Sequence, residues 1–358
     1  MKNNHLFSIS LERTTVAFIA LLIYSTNSLG QERKDYNIYT IAFYNVENLF
    51  DTEDDPITFD DDRTPLGKDV WTVEKYQDKI KNIAKVISEI GFETTNTAPA
   101  VIGLCEIENL QVLEDLVNHP ILQKFNYQII HYDSPDRRGI DVALLYQKSL
   151  FSLEDSQSRR LLIYELEDPT KRVYTRDQLV VTGSLNGEPI NIIVNHWPSR
   201  GGGEAKTNYR REKAAELNNE IIDSIYQKNP YSKIISMGDF NDGPTNRSFK
   251  KVLRTNSDRA TIGVQELYNP MELLAKNGKG SLAYRDGWNL FDQILVTESL
   301  LGSREGLQFY QAGIFNMPYL ITLSGQYRGY PFRSYDYSGY TGGFSDHFPV
   351  FLYLVKEQ

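Results

Sequence analysis

A chain of 358 residues, 41% hydrophobic and 24% charged, can bury a substantial core and is too apolar to belong to the disordered class. Its formal net charge of −9 excludes nucleic-acid binding through bulk positive charge. A phosphate-bearing ligand would have to be met by a local site, with a metal expected there, and the single cysteine, Cys105, excludes an intrachain disulfide.

The N-terminus carries Lys2, Glu12 and Arg13, then an apolar run over residues 15–24, then the small residues Ser28 and Gly30 ahead of Gln31. This is the pattern of a secretory signal peptide, and its apolar core falls short of the roughly 20 residues that span a bilayer. Residues 1–30 are therefore expected to be removed near Gly30/Gln31. A single domain over residues 31–358 would then be exported to the periplasm or beyond. No cysteine near the cleavage point offers a lipid anchor, and no internal repeat, low-complexity tract or long linker interrupts the remainder.

Short apolar runs at residues 39–46, 101–107, 142–146, 190–194, 233–237, 292–296 and 348–355 have the length and β-branched or aromatic content of buried strands. Between them lie helical patterns. Residues 73–90 set Tyr76, Ile80, Ile83, Ala84, Ile87 and Ile90 on one face, with Thr72 placed to cap and Gly91 to stop the helix. Residues 110–117 and 206–226 predict two more, the latter ended by Asn229-Pro230.

Polar residues recur at the ends of these runs. Asn45 with Glu47, Glu106 with Glu108, His196, and Asp239 with Asn241 finish strands; Asp141, Asp292 and Asp346-His347 begin them. If all share one rim, the first group runs toward it and the second away, which requires mixed or antiparallel sheets. No GxGxxG supports a dinucleotide-binding fold.

Asp239 and Asn241, in "GDFND", point the same way in an extended chain and offer a carboxylate and an amide to one ligand, although a simple turn fits equally well. Glu106 ends a strongly apolar run, where a carboxylate is costly unless paired or bound to a cation, and hard oxygen ligands suit Mg²⁺ or Mn²⁺. Glu108 reads better as a helix-start acid. Of the five histidines, His119 and His131 read as surface loop residues. His196 and His347 fall at strand ends, with Asp141 and Asp292 available as orienting carboxylates. The Gly-rich stretch after Ser199 predicts a rim loop that brings Arg200, Arg210 or Arg211 toward a substrate. The acidic run at residues 51–62 lacks calcium-loop spacing and reads as solvated.

Taken in order, "FYNVENLF", "GLCEIEN", "RRGIDVALLY", "NHWPSR", "GDFND", "FDQILV" and "SDHFPV" resemble the endonuclease/exonuclease/phosphatase superfamily from Ile41 to Val350. The resemblance implies an α/β fold, a four-layer α/β/β/α sandwich of two mixed β-sheets flanked by helices. It implies Glu106 as the main ligand of Mg²⁺ or Mn²⁺, with Asn45 beside it and Asp346 completing the metal region. Asp239 and Asn241 match the pair that orients the attacking water and holds the phosphate. His347 matches the catalytic histidine polarised by Asp292, and His196 the second histidine, with Asp141 as its expected partner. Either Asp239 or His347 would take the water's proton. The implied activity is metal-dependent phosphodiester hydrolysis by a monomer, with nucleic acid the first substrate expected. The alternatives are a phospholipid headgroup, a sugar or inositol phosphate, or silent phosphoester binding.

Overall fold

The computed structural model describes residues 35–302 and 306–358. The expected leader, residues 1–30, lies outside the described residues.

Two six-stranded sheets carry the molecule. The first runs in the order β11-β12-β1-β2-β4-β3, where β1 is Tyr36–Leu49, β2 Val101–Ile107, β3 Tyr127–His131, β4 Asp141–Gln147, β11 Gln308–Ile314 and β12 Val350–Glu357. The second runs β9-β10-β8-β7-β6-β5, with β5 Phe151–Arg159, β6 Gln178–Leu185, β7 Glu188–His196, β8 Ile234–Asp239, β9 Leu267–Tyr268 and β10 Asp292–Thr297. Both are mixed: β1/β2 and β7/β8 pair in parallel, whereas β2/β4 and β8/β10 are antiparallel.

Strand alternation sorts the side chains into layers. Ile41 and Phe43 of β1 join Val194 of β7 and Met237 of β8 in the core between the sheets. Their neighbours Ala42 and Tyr44 face the other way, against Ile83, Ile87 and Leu113 of the outer helices α1 (Val73–Glu89) and α2 (Leu110–Asn118). Ile193 and Leu295 pack on Ala214, Ile221 and Ile222 of α3 (Glu204–Lys228) on the opposite side. The order of layers is thus α/β/β/α. The sheets approach closely at Gly103, where an added Cβ would sit 3.1–3.2 Å from Phe43, Val194 and Met237. No helix among the described residues is long and apolar enough to cross a membrane.

Some boundaries differ from expectation. Gly91 turns at φ 75° after α1, as a stop requires, but Thr72 makes no side-chain cap hydrogen bond. Asn109 caps α2 by accepting from the Val112 amide, while Glu108 instead accepts from the Asp51 amide at 2.6 Å. The last strand begins at Val350 rather than Phe348, because Pro349 has no N–H to give the ladder.

Candidate active site

Register brings the polar strand ends together. Asp239 pairs with His196 on one side and with Asp292 on the other, so β7, β8 and β10 deliver these three at one edge. In the first sheet Asn45 pairs with Cys105 and Asp141 with Ile107, and the ladder slips between Cys105 and Ile107 and between Asn45 and Leu49. The slips coincide with left-handed backbone at Glu106 (φ 63°), Glu47 (φ 52°) and Asn48 (φ 54°). Asn241 (φ 50°) repeats this opposite them. Such conformations are unfavourable for residues with a Cβ and persist where the surroundings enforce them, typically at functional sites.

The two sheets meet through side chains. The Asn45 amide nitrogen donates to Glu106 Oε1 at 3.3 Å and to Asp239 Oδ2 at 3.1 Å, linking a carboxylate from each sheet. The Asn48 amide fixes the other Glu106 oxygen at 2.9 Å, and the Asn241 amide fixes Asp239 Oδ1 at 2.9 Å. The Asn45 oxygen accepts from the Glu47 amide at 2.9 Å, so in this arrangement Asn45 ties the two acids to the backbone of β1.

His347 is tied down from two directions. Its Nδ1 lies 2.6 Å from Asp292 Oδ2, which also accepts from Ser281 Oγ at 2.5 Å. Its backbone amide donates to Ser345 Oγ, which itself donates to the Asn45 carbonyl, joining the C-terminal motif to β1. The free Nε2 sits 3.9 Å from Asp239 Oδ2 and 3.9 Å from Asp346 Oδ1. Burial opposes charge on His347, but Asp292, Asp239 and Asp346 outweigh it and hold the imidazole well above its ordinary value. Burial pushes the Asp239 carboxyl up to about 6, partly offset by His347. Burial and the charge of Glu47 push Asp346 up to about 7.

His196 Nε2 lies 3.8 Å from Asp239 Oδ2 and 3.9 Å from Glu106 Oε1. Burial, then the charges of Arg176 and Arg138, hold it well below the usual histidine value, so it is neutral. Its expected pairing with Asp141 does not form: His196 Nδ1 is buried without a hydrogen bond. Asp141 Oδ2 instead contacts His131 Nε2 at 3.0 Å, and its other oxygen accepts from the Ser134 amide. The physical reason is register. His131 on β3 pairs with Ala143, two residues from Asp141 on the same face of the neighbouring strand, so its ring is drawn in and its side chain is 5% exposed rather than a surface group. His119 likewise has a local task, accepting from the Ile121 amide.

Of Arg200, Arg210 and Arg211, the structure brings only Arg200 to the segment that carries Asn241. Arg200 donates to the Asn241 carbonyl at 2.8 Å and pairs with Asp242, so it braces the left-handed turn that presents Asn241. Arg211 is buried on Asp242, and Arg210 pairs with Glu165. Sequence reading missed Ser281, Lys79 and Arg333. Each reaches the site through contacts between segments far apart in sequence and carries no local signature.

Hard oxygen donors dominate the convergence, and the charges of Glu47 and Glu106 press on Asp346, a repulsion a divalent cation would relieve, so the residues fit one. Glu106 and Asp346 would hold it. Asp239, Asp292 and His347 form one set of ligating atoms within 4.8 Å of one another, and Cys105, His196 and Asp239 a second.

Comparison with known proteins agrees with this geometry. A family model described as Endonuclease/Exonuclease/phosphatase family matches residues 40–356. A search of curated proteins returned no match. Among solved structures, zebrafish TDP2 humanized by 14 mutations superposes at a TM-score of 0.54 with 14% identity, covering 89% of this chain and 99% of its own. The human nocturnin catalytic domain with bound sulfate gives 0.53 with 17% identity, covering 91% and 98%. A mannosyl-6-phosphatase from Bacteroides thetaiotaomicron gives 0.52 with 16% identity, covering 88% and 99%. With sheets, layers and family model in agreement, the chain belongs to the endonuclease/exonuclease/phosphatase family.

Proposed function

We propose that this chain is an exported, divalent-metal-dependent hydrolase of phosphate esters. The observation that carries the reading is the convergence, from both sheets, of the Asp292–His347 pair, Asp239 and Glu106 on one rim. Bound at Glu106 and Asp346, Mg²⁺ or Mn²⁺ would act as a Lewis acid on a phosphoryl oxygen. The remaining work falls to the protein's own groups. Asp292 keeps the proton on His347 Nδ1 and stabilises an imidazolium whose Nε2–H can hold a phosphate oxygen. Asp239, with a carboxyl near 6, is ionised at neutral pH and is the better candidate to take the proton of an attacking water. Neutral His196 can donate one hydrogen bond to the same phosphate. Asn241, its carbonyl held by Arg200, presents its side chain beside Asp239 and donates to the Trp197 carbonyl at 3.0 Å.

Nucleic-acid phosphodiesters, the class expected from the sequence, are one substrate class to try, in line with zebrafish TDP2 solved with a single-strand DNA product. A second reading, a phosphomonoester, is favoured by the position of Arg333 beside Asp346. The test is hydrolysis of bis-p-nitrophenyl phosphate and p-nitrophenyl phosphate, then of DNA, RNA, sphingomyelin and inositol phosphates, with Mg²⁺, Mn²⁺ or EDTA. Metal-dependent turnover of an ester is expected, and failure on every ester with either metal would remove the reading.

A further inference from the structure

A fully buried lysine and a buried glutamate outside the proposed chemistry both serve one exposed arginine. Lys79 Nζ, inside α1, donates to the Glu47 carbonyl at 2.8 Å, to Ser334 Oγ at 2.7 Å and to the Phe344 carbonyl at 3.3 Å. Glu47 Oε2 accepts from the Ser334 amide at 2.6 Å and its hydroxyl at 2.8 Å. Glu47 Oε1 then accepts from Arg333 Nε at 3.2 Å and Nη2 at 3.1 Å. Buried charges are costly, and a methionine or leucine would fill the Lys79 position at less cost if packing were the only requirement. What the network achieves is orientation. It fixes the Arg333 side chain, still 48% exposed, at the rim with Nη2 3.4 Å from Asp346 Oδ2. Arg333 Nη1 makes no hydrogen bond among the described residues and is available to a ligand. Arg138, whose charge reaches His196 and which is similarly exposed, has a 3.4 Å side-chain contact to Asp136.

We propose that Arg333 is a specificity-determining residue that binds an unesterified oxygen of a terminal, dianionic phosphate, so that the chain favours phosphomonoesters over internal phosphodiesters. The chemistry follows from charge and count. A monoester phosphate carries nearly two negative charges and three free oxygens, one more than an internal diester has. A planar guanidinium beside the cation-binding acids is suited to that additional oxygen. An internal diester replaces the oxygen with an ester arm and gains little from the arginine.

This inference rests on the phosphoesterase reading, and its test separates the two. Wild-type, Arg333→Met and Arg333→Lys proteins are assayed for kcat/KM on p-nitrophenyl phosphate and on bis-p-nitrophenyl phosphate, with melting curves for each. Expected is a loss of about 10- to 100-fold on the monoester in Arg333→Met. Arg333→Lys should restore it in part, and the diester rate should change by less than about threefold in both variants. Inorganic phosphate should raise the melting temperature of the wild type more than that of Arg333→Met. Equal losses on both esters would make Arg333 a structural brace and overturn the proposal, as would no loss at all. If Arg333→Met melts too early to assay, Arg333→Lys decides by the same selectivity criterion. A wild type that cleaves the diester but not the monoester would overturn this proposal and leave the phosphoesterase reading standing; one that cleaves neither would remove that reading itself.

Discussion

His347 shows how one residue's chemistry depends on its neighbours. Its Nδ1 is matched to Asp292, and Asp292 in turn to Ser281, so the imidazole has one orientation and one stable protonation. Replacing Asp292 by Asn removes the charge that sustains the imidazolium while keeping the shape. We expect turnover to fall by about 10²–10⁴-fold with the melting temperature little changed, as steady-state kinetics and calorimetry on Asp292→Asn would show. In the proposed mechanism Asp239 sets the pH response. Burial raises its carboxyl to about 6, and a base works only when ionised, so the rate should climb with pH through a midpoint near 6 and then level. A bell with its acid limb near 4 would assign the proton transfer elsewhere. Asp141 illustrates the opposite outcome: the residue type suited an orienting role, but its strand neighbour is His131, so that is the ring it orients.

Among the elements, α1 does more than cover the first sheet. Its apolar face was legible from spacing, and Ile80, Ile83, Ala84 and Ile87 are buried as expected. Lys79 lies on the same buried side, a position that periodicity alone would give to a hydrophobe. Lys79→Met would leave the Glu47 and Phe344 carbonyls and the Ser334 hydroxyl short of a donor, at about 1–3 kcal/mol for each group that stays unpaired. Thermal or urea unfolding should show the loss. Burial also lowers the Lys79 ammonium to about 8. Between that value and its ordinary one near 10.5 the unfolded chain binds more protons than the folded one, so this lysine makes stability rise with pH across the window. The rise should be absent in Lys79→Met, and identical pH profiles would show that Lys79 titrates normally. The slipped ladders of β1 and β2 are the other contribution at this scale. They turn Glu106 out of the alternation that would otherwise commit it to one face, and no propensity rule places positive φ at a glutamate.

The whole molecule is two sheets pressed together so that acids from both reach one rim, where the proposed cation would sit against Glu106 and Asp346. Differential scanning fluorimetry should show Mg²⁺ or Mn²⁺ raising the melting temperature, by an increment that grows with the logarithm of concentration. Glu106→Gln should lose most of it, and an undiminished shift would place the metal elsewhere. The strand runs, the helix faces and the opposed directions of the polar strand ends could all be read from the sequence, because each depends on residues close in the chain. Together they were enough to infer mixed sheets and a shared rim. The partners at that rim could not be read. Asn45 is 61 residues from Glu106 and 194 from Asp239, and only the packing distance between the sheets, set near Gly103, decides that one amide spans both acids. The same holds for Glu47, whose partner Arg333 is 286 residues away, and for His196, left without Asp141 by the register of β3 against β4. The sequence by itself determined the strands, the helix faces and the edge where the polar strand ends gather, since period and direction are local properties. Only the tertiary structure decided who pairs with whom, because a hydrogen bond is settled by distances of a few tenths of an ångström between segments that local rules leave unrelated.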